Sequence, residues 1–229
     1  MADASAATRL AEVRARMAKA ACLAGRDPDM IALVAVSKTQ PAGAIEPLIE
    51  AGQPLFGENR VQEAAAKWSS PIDDHSALRA RYPQIQLHLV GRLQSNKADE
   101  AVALFDAIHS LDRPSLVAAL ARAMERQRRR PDCFIQVNIG DEAQKGGCAI
   151  SELPDLLALC RDAALPVVGL MCVPPADVEP APYFALLAKL ARRHALQGLS
   201  MGMSNDYETA IMCGATHVRV GTALFGERA

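Results

Sequence analysis

At 229 residues, half of them hydrophobic, the chain has enough apolar material to bury one large core. Its 25 basic and 26 acidic side chains leave a formal charge of −1, so there is no basic excess to draw a nucleic acid or an anionic membrane. The polar, Ala-rich stretch from Met1 to Arg9 lacks the apolar run of a secretion signal, no segment reaches the length of a bilayer span, and the six scattered cysteines form no CxxC pair; a reducing cytoplasm without disulfides is expected.

A helix with Leu10, Val13 and Met17 on one face comes first. Apolar strand-like runs then alternate with helical ones. Ile31 to Val36 is followed by a turn at Pro41 and a helix to Ala51. Pro54 to Phe56 is followed by a helix from Arg60 to Trp68, and a polar stretch from Pro71 to Pro83 leads to Gln86 to Val90. The fourth strand, Asp106 to His109, precedes a helix opening at Pro114 with Leu116, Val117, Leu120 and Met124 on one stripe. The fifth is Cys133 to Ile139 with a helix from Glu152 to Arg161, and the sixth is Pro166 to Cys172 with a helix from Tyr183 to Ala195. The seventh is Leu199 to Met201 with a helix from Asp206 to Cys213, and the eighth is His217 to Val220. Eight such units predict a closed parallel (β/α)8 TIM barrel with an extra N-terminal helix, forming one domain over residues 1–229; an open doubly wound sheet is the competing arrangement.

Chemistry in a barrel sits where strands end and loops begin, so the residues after each run carry the functional argument. Val34, Val36 and Lys38 share one face of the first strand, which places the ammonium of Lys38 at the rim above an apolar layer. Desolvation there favours the neutral, nucleophilic amine. The last two loops of a barrel commonly hold phosphate. Here the seventh unit supplies Ser200, Gly202 and Ser204 ahead of a helix, and the eighth supplies Arg219, Gly221 and Thr222. Val218 and Val220 suit the helix-facing side, which turns Arg219 inward. A rim lysine beside a phosphate cradle fits two chemistries. One is a Schiff-base aldolase acting on a phosphorylated sugar; the other is an internal aldimine with pyridoxal 5′-phosphate. Spacing does not separate them.

Other candidates carry less. The five histidines, His75, His88, His109, His194 and His217, show no metal-ligand spacing, and His88 reads as a satisfied core residue. Glu58 and Asn59 either orient a ligand or cap a loop, the run from Arg126 to Arg130 complements a helix end, and Lys97 and Lys145 read as solvated.

Several stretches together carry a family resemblance. They are Ala35-Val36-Ser37-Lys38-Thr39-Gln40-Pro41, Phe56-Gly57-Glu58-Asn59-Arg60-Val61-Gln62-Glu63, Gly91-Arg92-Leu93-Gln94-Ser95-Asn96-Lys97, Gln136-Val137-Asn138-Ile139, Gly169-Leu170-Met171, Leu199-Ser200-Met201-Gly202-Met203-Ser204, and Val218 through Gly226. In that order they resemble the pyridoxal phosphate homeostasis protein family. The resemblance implies a barrel like the N-terminal domain of alanine racemase, with pyridoxal 5′-phosphate as an aldimine on Lys38. It implies phosphate contacts from Ser200, Gly221 and Thr222, Arg219 near the pyridine ring or the phosphate, and Asn59, Met171 and Ser204 among the cofactor-binding residues. Gly91-Arg92-Leu93 and the Asp141–Gly147 loop fit the family loosely. The implied role is storage, buffering or delivery of the cofactor inside the cell, with apo enzymes as recipients, by a monomer. The alternative is a racemase-like enzyme. Racemisation needs a second acid/base opposite the lysine, which a further β-rich domain helps supply in racemases. No room for such a domain is expected before Ala229, and Tyr207 is the one tyrosine expected to approach the site.

Overall fold

The computed structural model describes residues 2–69, 77–142 and 144–226. Met1, the stretch from Pro71 through His75, and Ala229 lie outside them. Eight parallel strands close into a barrel in sequence order: β1 Ala32–Val36, β2 Leu55–Glu58, β3 Gln86–Leu89, β4 Ala107–Leu111, β5 Asp132–Gln136, β6 Val167–Met171, β7 Gly198–Ser200 and β8 His217–Val220. Closure is sealed by β8 pairing with β1 in the register Ala32↔His217 to Ala35↔Val220. The open-sheet alternative is thereby set aside.

Around the barrel run α1 (Ala2–Leu23), α2 (Ala42–Glu50), α3 (Val61–Trp68), α4 (Leu78–Arg81), α5 (Ala98–Leu104), α6 (Pro114–Gln127), α7 (Leu153–Asp162), α8 (Ala181–Arg193), α9 (Tyr207–Met212) and α10 (Thr222–Phe225). The faces anticipated for α1 and α6 are the buried ones: Leu10, Val13 and Met17 on the first, and Leu116, Val117, Leu120 and Met124 on the second. α1 packs against α9 and α10, tied there by Arg16 to Glu208 (2.5 Å) and by Arg9 Nε to the Leu224 carbonyl (2.6 Å).

The sequence pattern shows nothing of α5, which buries Ala98, Ala101, Val102 and Leu104. Seven residues with three alanines give too short an apolar stripe to read by period. Its C-terminal carbonyls are satisfied from outside, by the Arg129 guanidinium donating to Ala103 and Phe105. The arginine run at the end of α6 thus serves its neighbours as much as its own helix: Arg130 donates to Ala164 beyond α7, and Arg126 pairs with Asp99.

Side chains facing outward from the strands, such as Leu33, Ala35, Phe56, Leu89, Ile108, Ile135, Leu170 and Val220, join the helices in the main apolar core. The inward set is different in kind. Arg219, His88, His109 and Ser200 are buried inside the barrel with Phe134, in a space that TIM barrels usually fill with branched aliphatic side chains. Strands β6 and β7 touch there through opposed glycines. A Cβ on Gly169 would lie 2.2 Å from the Gly198 carbonyl oxygen, so neither strand tolerates a side chain at that crossing.

Candidate functional site

The C-terminal rim is built from the first and last strands. Val36 ends β1, and Ser37 continues the strand by donating its amide to the Gly57 carbonyl (2.9 Å). The Ser37 hydroxyl points outward to Glu58 Oε1 (2.8 Å), so alternation returns Lys38 to the barrel-facing side, where it is half-buried. Thr39 follows at φ +63°, a left-handed conformation that is costly for a β-branched residue and is held by its surroundings. Its amide donates to Glu63, and its hydroxyl donates to the Lys38 carbonyl (2.6 Å).

Glu58 belongs to this support. Alternation along β2 turns it away from the barrel, so it does not orient a ligand there. It is fully buried, and its Oε1 accepts from Ser37, from Trp68 Nε1 (3.0 Å) and from Lys67 Nζ (2.7 Å). Lys67 also donates to the Ser37 carbonyl (2.9 Å) and pairs with Glu63 (3.1 Å). A buried ion pair with this many donors fixes the backbone on both sides of Lys38. Asn59 sits half-buried at the end of β2, and its backbone touches Gly91. A Cβ at Gly91 would fall 2.2 Å from the Asn59 carbonyl oxygen, which is why the loop after β3 needs a glycine there.

Across the seam, Gly221 follows β8 directly beside β1. A Cβ there would meet the Val36 carbonyl at 3.4 Å, so the glycine keeps the rim open two residues from Lys38. The Gly221 amide donates to Ser204 Oγ (3.3 Å), bringing the loops after β7 and β8 together, with Thr222 exposed at the start of α10. Met171 ends β6 in register with Ser200 and is buried. Lys38, Asn59, Met171, Ser204, Gly221 and Thr222 therefore all stand at or just past the C-terminal ends of their strands.

Arg219 is turned inward, as the flanking valines require, and is 5 % exposed. Its Nη1 donates to Ser200 Oγ (2.6 Å) and its Nη2 to the Cys172 carbonyl (2.9 Å). No carboxylate forms an ion pair with it among the described residues. Burial pulls its pKa below the ordinary arginine value, because its charge is held away from water. Ser200 is fully buried, with its hydroxyl shared between Arg219 and His109 Nδ1 (2.8 Å).

Two further expectations change. Tyr207 does not approach the site; it is buried in the outer layer with the Arg16 guanidinium 5.3 Å from its ring. Lys97 and Lys145 are engaged locally, the first with Glu100 (2.7 Å), the second with Glu142 (2.6 Å) and the Pro174 carbonyl (2.8 Å). The cysteines are free thiols, and burial pushes Cys148 and Cys172 up to about 12, as small apolar residues would behave. A cleft of about 570 Å³ opens at the opposite end of the barrel, between α1 and the starts of β1 to β3. Its Arg14 and Gln53 are already bonded to backbone carbonyls, so it lacks the convergent donors of the rim.

The family model for the alanine racemase N-terminal domain matches residues 9–229. A pyridoxal phosphate homeostasis protein of Pseudomonas aeruginosa is 39 % identical over 97 % of this chain and 95 % of its own length. The chain belongs to the pyridoxal phosphate homeostasis protein family. Another member, from Escherichia coli, is 38 % identical over 97 % of the chain and 96 % of its own. Among solved structures, PipY of Synechococcus elongatus with PLP bound superposes with a TM-score of 0.77 at 37 % identity, covering 96 % of this chain and all of that one. Alanine racemase from Bartonella henselae superposes at 0.68 with 14 % identity over 99 % of this chain and 61 % of that one, a likeness of fold. Among the described residues no helix is long and apolar enough to cross a membrane.

Proposed function

We propose that this protein holds pyridoxal 5′-phosphate on Lys38 and hands it on to apo enzymes, as a store and carrier of the cofactor. The observation that carries the reading is the pairing of Lys38 and Gly221 on adjacent strand ends above a buried guanidinium that lacks a carboxylate. When bound, the cofactor supplies an aldehyde that condenses reversibly with an amine. The chain's own residues do the rest. Lys38 supplies the amine, on a backbone clamped by Glu58, Glu63 and Lys67. Gly221, Thr222 and Ser204 supply amide and hydroxyl donors for the phosphate dianion. Arg219 supplies fixed positive charge at the inner end of the site, while Asn59 and Met171 flank it. The names of the 35–39 % identical relatives and the PLP-bound PipY structure favour this over a sugar-phosphate aldolase.

A carrier also suits the proton chemistry better than a racemase does. Turnover of an amino acid needs a second acid/base at the rim. Tyr207 is packed under α1, and His88 and His109 lie buried within the barrel. An arginine at the inner end opposes the build-up of a further positive charge on the ring, which weakens carbanion stabilisation.

The test mixes loaded protein with an apo pyridoxal-phosphate enzyme and follows the recovery of activity, beside an amino-acid racemisation assay on the protein alone. Recovery without racemisation is expected, and borohydride should fix the cofactor to Lys38 in the native protein and leave Lys38→Ala unlabelled. Sustained racemisation without transfer, or a label on Lys97 or Lys145, would overturn the reading.

A further inference from the structure

The barrel axis holds a hydrogen-bonded column that cofactor attachment alone does not call for. Arg219 Nη1 donates to Ser200 Oγ (2.6 Å), Ser200 Oγ lies 2.8 Å from His109 Nδ1, and His109 Nε2 lies 3.0 Å from His88 Nδ1. Arg219, Ser200, His109 and His88 are all buried, and two of them completely. The His109 ring stacks on Phe134 with centroids 4.3 Å apart and planes 27° apart, which fixes its orientation. His217 meets its edge at 5.9 Å and is anchored by Thr216 Oγ1 at 2.9 Å from its Nδ1.

All three imidazoles are neutral. Burial is the main cause, pushing His88 down to about 3, His217 to about 4 and His109 well below its usual range, and the Arg219 charge adds to the effect on the last two. A neutral imidazole has one N–H and one lone pair, and a guanidinium can only donate. Ser200 Oγ must therefore accept from Arg219. If the Ser200 proton goes to His109 Nδ1, then His109 donates through Nε2 to His88, and every contact joins one donor to one acceptor. If His109 Nδ1 carries the proton instead, two donors point at Oγ and the serine proton has no acceptor in the column. A buried unmatched hydroxyl is disfavoured by roughly tenfold or more, so the first arrangement prevails.

We propose that His109 is a positioning residue for Arg219, acting through Ser200: by accepting the serine proton it turns the oxygen's lone pairs onto the guanidinium and holds that charge in the barrel axis without a carboxylate. A carboxylate in the place of Ser200 would hold the arginine as firmly but would cancel its charge. A neutral hydroxyl, oriented from behind by a neutral imidazole, holds it and leaves the charge available to the ligand. Phe134 and His88 then have defined tasks, one setting the plane of the His109 ring and the other accepting its Nε2 proton. This inference rests on the reading that the site takes pyridoxal 5′-phosphate.

Four variants separate positioning from packing: His109→Leu, His109→Asn, His109→Gln and Ser200→Ala. The asparagine amide reaches the place of Nδ1 and so keeps the contact with Ser200; the glutamine amide reaches the place of Nε2 and keeps only the contact with His88. Each protein is titrated with pyridoxal 5′-phosphate, and the dissociation constant and the absorption maximum of the bound cofactor are recorded beside the melting temperature without ligand. The Leu, Gln and Ala variants should bind roughly tenfold more weakly or worse, with a displaced maximum. His109→Asn should recover most of both. Wild-type affinity and spectrum in the Leu and Gln variants would overturn the proposal. So would losses in Asn and Gln that simply follow their melting temperatures. A wild-type protein that takes up no cofactor would instead refute the reading of the site itself, before any variant is compared.

Discussion

Acid should destabilise this fold earlier and more steeply than its carboxylates alone would. In the unfolded chain His88, His109 and His217 titrate near 6.5; in the folded barrel burial holds His88 at about 3, His217 at about 4 and His109 well below the usual range. Lowering the pH through 6.5 protonates the unfolded imidazoles first, so the unfolded state gains protons that the native state refuses. The stability these groups contribute is fully present above 6.5 and is lost as the pH falls towards the folded values. At pH 5 the loss for His88 and His217 is fixed by the distance from 6.5 and not by the depth of the shift, because both native values lie below 5. That distance gives roughly 2 kcal/mol for each and about 4 kcal/mol for the two, a large part of the 5–15 kcal/mol typical of a domain, and His109 acts in the same direction. Guanidinium unfolding at pH 7, 6 and 5 measures it, and the slope below pH 6 should reach about 3 kcal/mol per pH unit or more. His217→Phe should lower that slope by about 1.4 kcal/mol per pH unit. Stability flat to within about 1 kcal/mol between pH 7 and 5 would refute the neutral column.

Two further outcomes test the scaffold around the lysine and the barrel wall. Glu58→Ala removes the acceptor for Ser37, Trp68 and Lys67 together and leaves Lys67 buried beside Glu63 alone. It should cost about 3–5 kcal/mol in urea unfolding, and a cost below about 1 kcal/mol would show that the network does not hold the loop. Gly169→Ala forces a Cβ to within 2.2 Å of the Gly198 carbonyl, where backbone and not a flexible side chain must give way. A loss of about 3 kcal/mol, or roughly 6–12 °C in Tm, is expected by calorimetry, and an unchanged Tm would mean that β6 and β7 separate more freely than their register implies.

The eight strands were legible because each is a short apolar run punctuated by Gly, Pro or a polar rim residue, and the alternation of valines with Arg219 was enough to turn that arginine inward. Lys38, Gly221 and Thr222 were legible for a related reason: in a barrel the position of a residue along its strand decides whether it reaches the rim. Ser204 and Asn59 were singled out by their places in the loops after the seventh and second strands, and Met171 entered through family resemblance. What lay beyond the sequence was everything that depends on which inward residues meet. His88, His109 and His217 are spread over 130 residues and belong to three strands; their spacing points to no shared site, and only closure of the barrel brings them together beside Ser200 and Arg219. The same holds for Glu58, whose place after a strand allows either a ligand contact or a loop cap until the parity of β2 turns it outward onto Lys67. Local pattern fixes the face on which a side chain stands. The partner it finds there is set by strand register and shear across the whole barrel, and hydrogen bonds between residues 19 to 91 positions apart leave no local trace from which they could be read.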